Sequence, residues 1–178
     1  MTIRNYKTIQ PRIAASAYID ETALVIGDVD IGDDVSIWPM CTIRGDVNSI
    51  IIGARTNIQD GSILHVTHSH ESIPGGYGLD IGKNITVGHR AVLHGCTIED
   101  NCLIGMGSIV MDGVLIKSYV LLGAGSLVPP GKVLDAESLW VGSPAKKVRA
   151  LTQQELEWIE YSAGHYVGLK NSHLSGGD

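Results

Sequence analysis

The chain has 178 residues, of which 44% are hydrophobic and 5% aromatic, with 22 glycines, no phenylalanine and a formal net charge of −6. This length suffices for one domain, and the composition indicates a core of aliphatic side chains. The scattered basic residues disfavour nucleic-acid binding, and a membrane span would need about 20 consecutive apolar residues, which the sequence does not contain. We therefore expect neither nucleic acid nor membrane as a partner.

Residues 1–12 (MTIRNYKTIQPR) contain no apolar run of the signal-peptide type. We therefore expect a cytoplasmic protein in which this segment leads into the main domain. The three cysteines Cys41, Cys96 and Cys102 are odd in number and form no CxxC motif, which favours free thiols.

An aliphatic residue recurs along the chain, in most steps at every sixth position. A period of six is a multiple of the two-residue period of a strand, so successive markers can point to the same side of short strands. A helix would need apolar residues spaced three and four apart. The repeat therefore predicts a β-solenoid. The markers are Ile26, Ile31, Ile37, Ile43, Ile52, Ile58, Leu64, Ile81, Val87, Leu93, Ile98, Ile104, Val110, Ile116, Leu122 and Val128.

This repeat resembles that of the hexapeptide-repeat family over roughly residues 13–134. The resemblance implies a left-handed parallel β-helix with three hexapeptides in each coil. We therefore predict an all-β solenoid over residues 13–140, with residues 66–80 as a loop that projects from one corner. With three hexapeptides per coil, two faces can be assigned. One face carries Ile43, Leu64, Leu93, Val110 and Val128, and the preceding face carries Ile37, Ile58, Val87, Ile104 and Leu122.

The region after the solenoid is predicted to contain an extended link, a helix and a flexible tail. We place the link at residues 141–150, the C-terminal α-helix at 151–170 and the tail at 171–178. Thr152, followed three residues later by Glu155, forms a capping-box pattern that is typical of a helix start.

Three histidines fall at related positions of the repeat. His65 and His94 each directly follow a marker of the same face in consecutive coils, where strands lie about 4.8 Å apart. Their side chains should lie side by side and could share one metal ion, since Zn–N distances are about 2.0–2.1 Å; packing in a ladder is the alternative. His89 lies on the preceding face. It could reach the same ion only from a neighbouring subunit, which implies a trimer with a metal ion at each interface.

Residues at equivalent positions of successive coils stack in a column, and two charged residues occupy the columns of these histidines. Arg44 lies one coil before His65. Asp60 lies one coil before His89, with Gln59 beside it. Each charge alone would be an ordinary solvated side chain, but burial without a partner is costly. If the two faces meet across subunits, Arg44 and Asp60 can pair there, beside the metal.

The residues of this region resemble the motifs of γ-class carbonic anhydrases and their close relatives. The matching segments are RGD at 44–46, NIQDG at 57–61, His65, and GHRAVLHG at 88–95. The resemblance implies a homotrimer in which His65 and His94 of one subunit and His89 of its neighbour bind zinc. It implies interface and active-site salt bridges for Arg44, Asp46 and Asp60, and places Gln59 and Asn57 near the metal-bound water.

The activity that this resemblance implies is the reversible hydration of CO2 to bicarbonate by metal-bound hydroxide. Three histidine ligands leave an open position, as in catalytic zinc sites, and zinc lowers the pKa of bound water to about 7. Imidazole ligands also suit Fe(II) and Co. The archetypal enzyme uses glutamates to export the proton. Here Val47 follows the RGD motif and the 66–80 loop carries His68, His70 and Glu71, so the sequence leaves the proton shuttle undefined.

Two other classes of function fit parts of the sequence. CoA-dependent acyltransferases share the fold and the ending VGSPAKKVR at 141–149, and use a histidine as general base. Three histidines at metal spacing argue against that function, because a base needs only one. A non-catalytic, metal-stabilised trimeric scaffold is the remaining alternative.

Overall fold

The aliphatic markers point into the interior of a parallel β-solenoid of about eight turns, which is followed by a single C-terminal helix. A computed structural model describes residues 2–176. Fifteen of the sixteen markers are buried, with at most 1% of their surface exposed. The exception is Ile26, because Val25 instead pairs with Ile43 and points inward. Three consecutive aliphatic residues stand there, so the sequence pattern alone selects the wrong one.

The described part of the chain contains twenty strands and one helix. The strands are β1 Ile3–Arg4, β2 Arg12–Ile13, β3 Tyr18–Ile19, β4 Leu24–Ile31, β5 Ser36–Ile37, β6 Thr42–Ile52, β7 Asn57–Ile58, β8 Ile63–His65, β9 Leu79–Ile81, β10 Thr86–Val87, β11 Val92–His94, β12 Thr97–Ile98, β13 Leu103–Ile104, β14 Ile109–Val110, β15 Leu115–Ile116, β16 Val120–Leu122, β17 Leu127–Val128, β18 Val133–Leu134, β19 Ser138–Gly142 and β20 Ala145–Ala150; the helix is α1 Gln153–Leu174.

The strand registers confirm both predicted faces. In one face, residues 43, 64, 93, 110 and 128 pair in succession through β6, β8, β11, β14 and β17. In the preceding face, residues 37, 58, 87, 104 and 122 pair through β5, β7, β10, β13 and β16. Because side chains alternate along a strand, the residue before and the residue after each marker face outward. These registers determine which outward side chains become neighbours.

Strand β6 turns one corner of the solenoid and contributes to two faces, pairing with β8 at its start and with β9 at its end. The loop between β8 and β9 includes two antiparallel bridges, Thr67 with Tyr77 and His70 with Ile73. Asn48 Nδ2 donates to the carbonyl oxygens of Thr67 and Gly75, at 3.1 and 2.9 Å. The loop is therefore tied to the solenoid beside the RGD segment.

The segment expected as an extended link forms β20, which pairs antiparallel with β19. The capping box of α1 is present: Thr152 accepts from the Glu155 backbone, and the Glu155 side chain accepts from the Thr152 backbone. The helix continues beyond residue 170 to Leu174, so it includes the start of the expected tail, whose residues 177–178 lie outside the described range.

Helix α1 packs on the face formed by β5, β7 and β10. Ile159 and Ala163 are each 1% exposed. The buried Lys170 Nζ lies 2.9 Å from Asp34 Oδ1.

Within residues 2–176, no helix has the length and apolar character required to cross a membrane. The three cysteines are free thiols, as predicted, and the structure shows that all three are buried.

Candidate metal centre

His65 and His94 lie side by side on adjacent coils. Strands β8 and β11 place the two residues in register, and His65 Nδ1 is 3.0 Å from His94 Nε2. The ring centroids are 5.1 Å apart. The juxtaposition that the repeat predicts is therefore present, with one nitrogen of each ring directed at the other ring.

The remaining nitrogen of each of these rings contacts a carboxylate. His65 Nε2 lies 3.2 Å from Asp46 Oδ1, and His94 Nδ1 lies 2.8 Å from Asp112 Oδ1. Arg44 Nη1 donates to Asp46 Oδ2 at 2.6 Å. A carboxylate on one nitrogen fixes the orientation of an imidazole and selects which nitrogen is available to another partner.

Asp112 is a site residue that sequence reasoning missed. It follows β14, which is the next strand in the His94 column, and its carboxylate lies against Gly95. A Cβ atom at Gly95, whose φ is 53°, would collide with that carboxylate. Gly95 thus makes room for the contact between Asp112 and His94. Extending the column by one further coil gives Met111, and Asp112 is the residue after it, so the column pattern does not identify Asp112.

His89 lies on the neighbouring face, at the corner that follows β10. Its Nδ1 is 2.9 Å from Asp60 Oδ2, and the two side chains are 46% and 49% exposed. Within one chain, Asp60 therefore contacts His89, and Arg44 contacts Asp46. The predicted pairing of Arg44 with Asp60 of a neighbouring subunit stays a prediction.

Asn57 and Gln59 form a buried polar pair next to His89. Gln59 Nε2 donates to Asn57 Oδ1 at 3.1 Å, and the residues are 6% and 1% exposed. Gln59 and His89 both line a groove of about 590 Å³ between the solenoid and α1. Tyr166 also lines this groove, and burial, followed by the negative charge of Asp60, raises the pKa of its hydroxyl. The rest of the lining is largely apolar and combines aliphatic side chains such as Leu103 with aromatic side chains of α1 such as Trp158.

Comparison with known proteins connects this arrangement to a family. Protein YrdA of Escherichia coli is 51% identical over 176 residues, covering 99% of this chain and 96% of YrdA. A mitochondrial protein of Arabidopsis thaliana, gamma carbonic anhydrase 2, is 42% identical over 98% of this chain and 62% of its own length. A carbonic anhydrase of Geobacillus kaustophilus is 45% identical over 162 residues, covering 91% of this chain and 85% of that protein.

The chain belongs to the γ-carbonic anhydrase-like family. Its repeats also match two family models, "Bacterial transferase hexapeptide (six repeats)" over residues 95–130 and "Hexapeptide repeat of succinyl-transferase" over residues 78–111. A solved hexapeptide transferase family protein from Anaplasma phagocytophilum superimposes with a TM-score of 0.88 at 39% identity, covering 96% of this chain and 97% of that one. The γ-carbonic anhydrase-like fold is thus shared with proteins named as transferases.

The similarity to gamma carbonic anhydrases implies a metal cofactor. The nitrogen atoms of His65 and His94 in this chain are suitably placed to bind a metal ion. Two nitrogen ligands of one tetrahedral zinc ion lie about 3.3–3.4 Å apart. The separation of 3.0 Å between His65 Nδ1 and His94 Nε2 differs from that by a few tenths of an ångström. Both rings also carry the carboxylate partner that is usual for histidine ligands.

The charge states also suit metal binding in this γ-carbonic anhydrase-like chain. Burial lowers the pKa of His65 and so favours its neutral, ligating form. Although burial acts to raise the pKa of Asp46, hydrogen bonds from Arg44 and His65 hold that pKa below its usual value. Within residues 2–176, no three histidine, cysteine or acidic side chains of the single chain are grouped to hold a metal. One chain therefore offers the His65–His94 pair and presents His89 separately.

Proposed function

We propose that this chain is the subunit of a homotrimer that hydrates CO2 reversibly to bicarbonate at metal sites between subunits. The metal would be held by His65 and His94 of one subunit and by His89 of the next. The observation that carries the proposal is the paired geometry of His65 and His94, each oriented by its own carboxylate. His89 has the same kind of carboxylate partner but lies on a different face. Family membership supports the same function.

The metal would be zinc, with Fe(II) or Co as alternatives that imidazole ligands also accept. When bound, such an ion supplies Lewis-acid activation of water at neutral pH. The chain's own residues supply orientation. Asp46, Asp112 and Asp60 hold the three imidazoles by one nitrogen each.

Gln59 is the group that would orient the reacting water, because it lines the same groove as His89. Asn57 holds the Gln59 amide in place. The apolar lining of the groove suits CO2, which has no net dipole and gains little from polar groups. Arg44 and Asp60 would pair across the interface and so set the distance from His89 to the other two histidines.

Proton export would use the loop between β8 and β9. His68 lines a cavity of about 400 Å³ together with Asp46 and Val47, whereas His70 is hydrogen-bonded to Ser72 at 2.9 Å. We therefore assign the shuttle to His68 in preference to His70.

Metal analysis and solution mass of the purified protein, followed by CO2 hydration measured by stopped flow, test the proposal. We expect one metal ion per subunit, a trimer, and hydration activity with Zn, Co or anaerobically loaded Fe(II). Metal and a trimer without activity under any of these conditions would instead indicate a scaffold. Acetyl-CoA binding in the absence of metal would indicate an acyltransferase.

Mixing two inactive variants tests the location of the site. His65→Ala and His89→Ala should each abolish metal binding and hydration. In a symmetric ring, a mixed trimer of the two has one interface at which His65 and His94 of one chain meet His89 of the other. Co-refolded mixtures should therefore regain part of the metal content and activity. Absence of any recovery in trimers shown to be mixed would contradict an intersubunit site.

A further inference from the structure

We infer that Thr86 and Ser162 are positioning residues that orient the Gln59 amide through Asn57, so that the C-terminal helix controls the reactive water. This inference rests on the proposed function. It arises from a continuous hydrogen-bonded chain that begins on α1 and ends at the groove. The four side chains, Ser162, Thr86, Asn57 and Gln59, are at most 9% exposed.

The first links of this chain join α1 to the solenoid. Ser162 Oγ lies 2.9 Å from Thr86 Oγ1 on β10. Asn57 Nδ2, one coil earlier, donates to the same Thr86 oxygen at 2.9 Å. Thr86 is therefore held between the helix and Asn57.

The orientation of the Asn57 amide follows from its second partner. Asn57 Nδ2 also lies 3.3 Å from the carbonyl oxygen of Ile85, which can only accept a hydrogen bond. The amide nitrogen of Asn57 must therefore face Ile85 and Thr86. Its oxygen, Oδ1, faces Gln59.

This arrangement determines the atom that Gln59 presents to the groove. Because Asn57 Oδ1 can only accept, Gln59 must turn its Nε2 towards it, as the distance of 3.1 Å shows. Within residues 2–176, no buried side-chain oxygen lacks a hydrogen-bond partner, and Gln59 lines the groove. No protein group within residues 2–176 donates a hydrogen bond to Gln59 Oε1, so this oxygen opens onto the groove that His89 also lines. There it can accept a hydrogen bond from water but cannot donate one.

The solenoid and the helix therefore support different parts of the proposed site. The histidine pair depends on solenoid residues alone, since Asp46 and Asp112 hold the two rings. The acceptor at Gln59 depends on a contact with α1. Loss of the Thr86 hydroxyl should therefore leave metal binding intact while it frees the Gln59 amide to rotate.

Thr86→Val removes the hydroxyl with little change of volume and is the principal test. We expect the hydration kcat to fall roughly tenfold with KM and metal content nearly unchanged, because only the orientation of the water is affected. Ser162→Ala should give a smaller loss in the same direction, and Thr86→Ser should restore the rate. The matched control is Ser108→Ala, which removes a buried hydroxyl that donates to the Gly123 carbonyl and takes no part in the hydrogen-bonded chain from Ser162 to Gln59.

NMR of the side-chain amide groups provides a readout that does not depend on activity. In protein labelled with 15N at asparagine and glutamine, Thr86→Val should shift the Asn57 and Gln59 amide signals and accelerate their exchange with solvent, whereas Ser108→Ala should not. Unchanged signals in Thr86→Val would overturn the positioning role. If the wild type proves inactive while the amide signals respond as expected, the proposed activity is wrong and the hydrogen-bonded chain stands.

Discussion

Each of the three histidines of the candidate centre contacts one aspartate, at distances between 2.8 and 3.2 Å. This matters because an imidazole has two nitrogens, and only the one not held by the carboxylate is free to bind a metal. Partners of this kind raise the basicity of the ligand and restrict its rotation. At the residue scale, the proposed site would thus be formed by three imidazoles, each oriented by one carboxylate.

Asp112→Asn tests this orientation at the residue that the sequence did not reveal. An amide keeps the shape of the side chain but loses the charge that complements His94. We expect zinc affinity to fall about 10- to 100-fold, measured by competition with a chelating dye. Asp80→Asn, on the outward side of β9, serves as the control. Wild-type affinity in Asp112→Asn would show that the Asp112 contact does not support the ligand.

Helix α1 is the element that closes the groove, and its first turn is strongly anchored. Arg149 forms two hydrogen bonds of 2.7 Å with Glu155, which also accepts from the Thr152 backbone at 2.8 Å. The Arg149 side chain, followed by the Thr152 backbone, lowers the pKa of Glu155 to about 2. The first turn of the helix is therefore held both by its own capping box and by the ion pair with Arg149 of β20.

Glu155→Gln should lower the free energy of unfolding at neutral pH by up to about 1 kcal/mol, because glutamine can still complete the capping box but loses the ion pair with Arg149 and the negative charge at the helix N-terminus. Because the folded-state pKa of Glu155 lies below its ordinary value of 4.5, its ionised form stabilises the fold above that pH. This stabilisation decreases as the pH falls towards 2. The difference between wild type and variant should thus be smaller at pH 3 than at pH 7 in chemical denaturation.

Glu157→Gln is the control for that measurement, because Glu157 accepts only a hydrogen bond from Gln153 one turn earlier. A difference between Glu155→Gln and the wild type that does not change between pH 7 and pH 3 would contradict the assigned role of the carboxylate.

At the scale of the whole molecule, the proposed site exists only when copies of the chain associate. The face that carries His65 and His94 also carries exposed aliphatic side chains, with Ile63 and Ile109 46% and 42% exposed. Arg44 stands on the same face and is 42% exposed. An apolar surface with a charge at its edge suits association with a second copy.

Arg44→Ala should weaken the trimer by more than about tenfold in dissociation constant, since the proposed ion pair with Asp60 of the neighbouring subunit would be lost. Sedimentation velocity over a dilution series measures this effect. Arg12→Ala is the matched control, because Arg12 pairs with Asp28 and Asp30 within its own chain. Equal dissociation of the two variants would remove the interface role of Arg44.

The solenoid core protects its thiols, which provides a test of the packing as a whole. Burial raises the pKa of Cys41 to about 11 and the pKa values of Cys96 and Cys102 to about 12. These groups therefore remain protonated and shielded at pH 8. We expect a disulfide reagent to label none of the three rapidly in the native protein and all three after denaturation. Rapid labelling of the native protein would contradict a closed core.

The sequence by itself determined the solenoid, its two assigned faces and the position of His65 beside His94, because a period of six residues repeats a structure that needs only neighbouring coils. It failed at Ile26, where three aliphatic residues in succession leave the inward side ambiguous. The tertiary structure alone decided the contacts of His94 with Asp112 and of Thr86 with Ser162. The first depends on the space left by Gly95. The second depends on how α1 packs against the solenoid. Thr86 and Ser162 are 76 residues apart in the chain, and no local pattern encodes their contact.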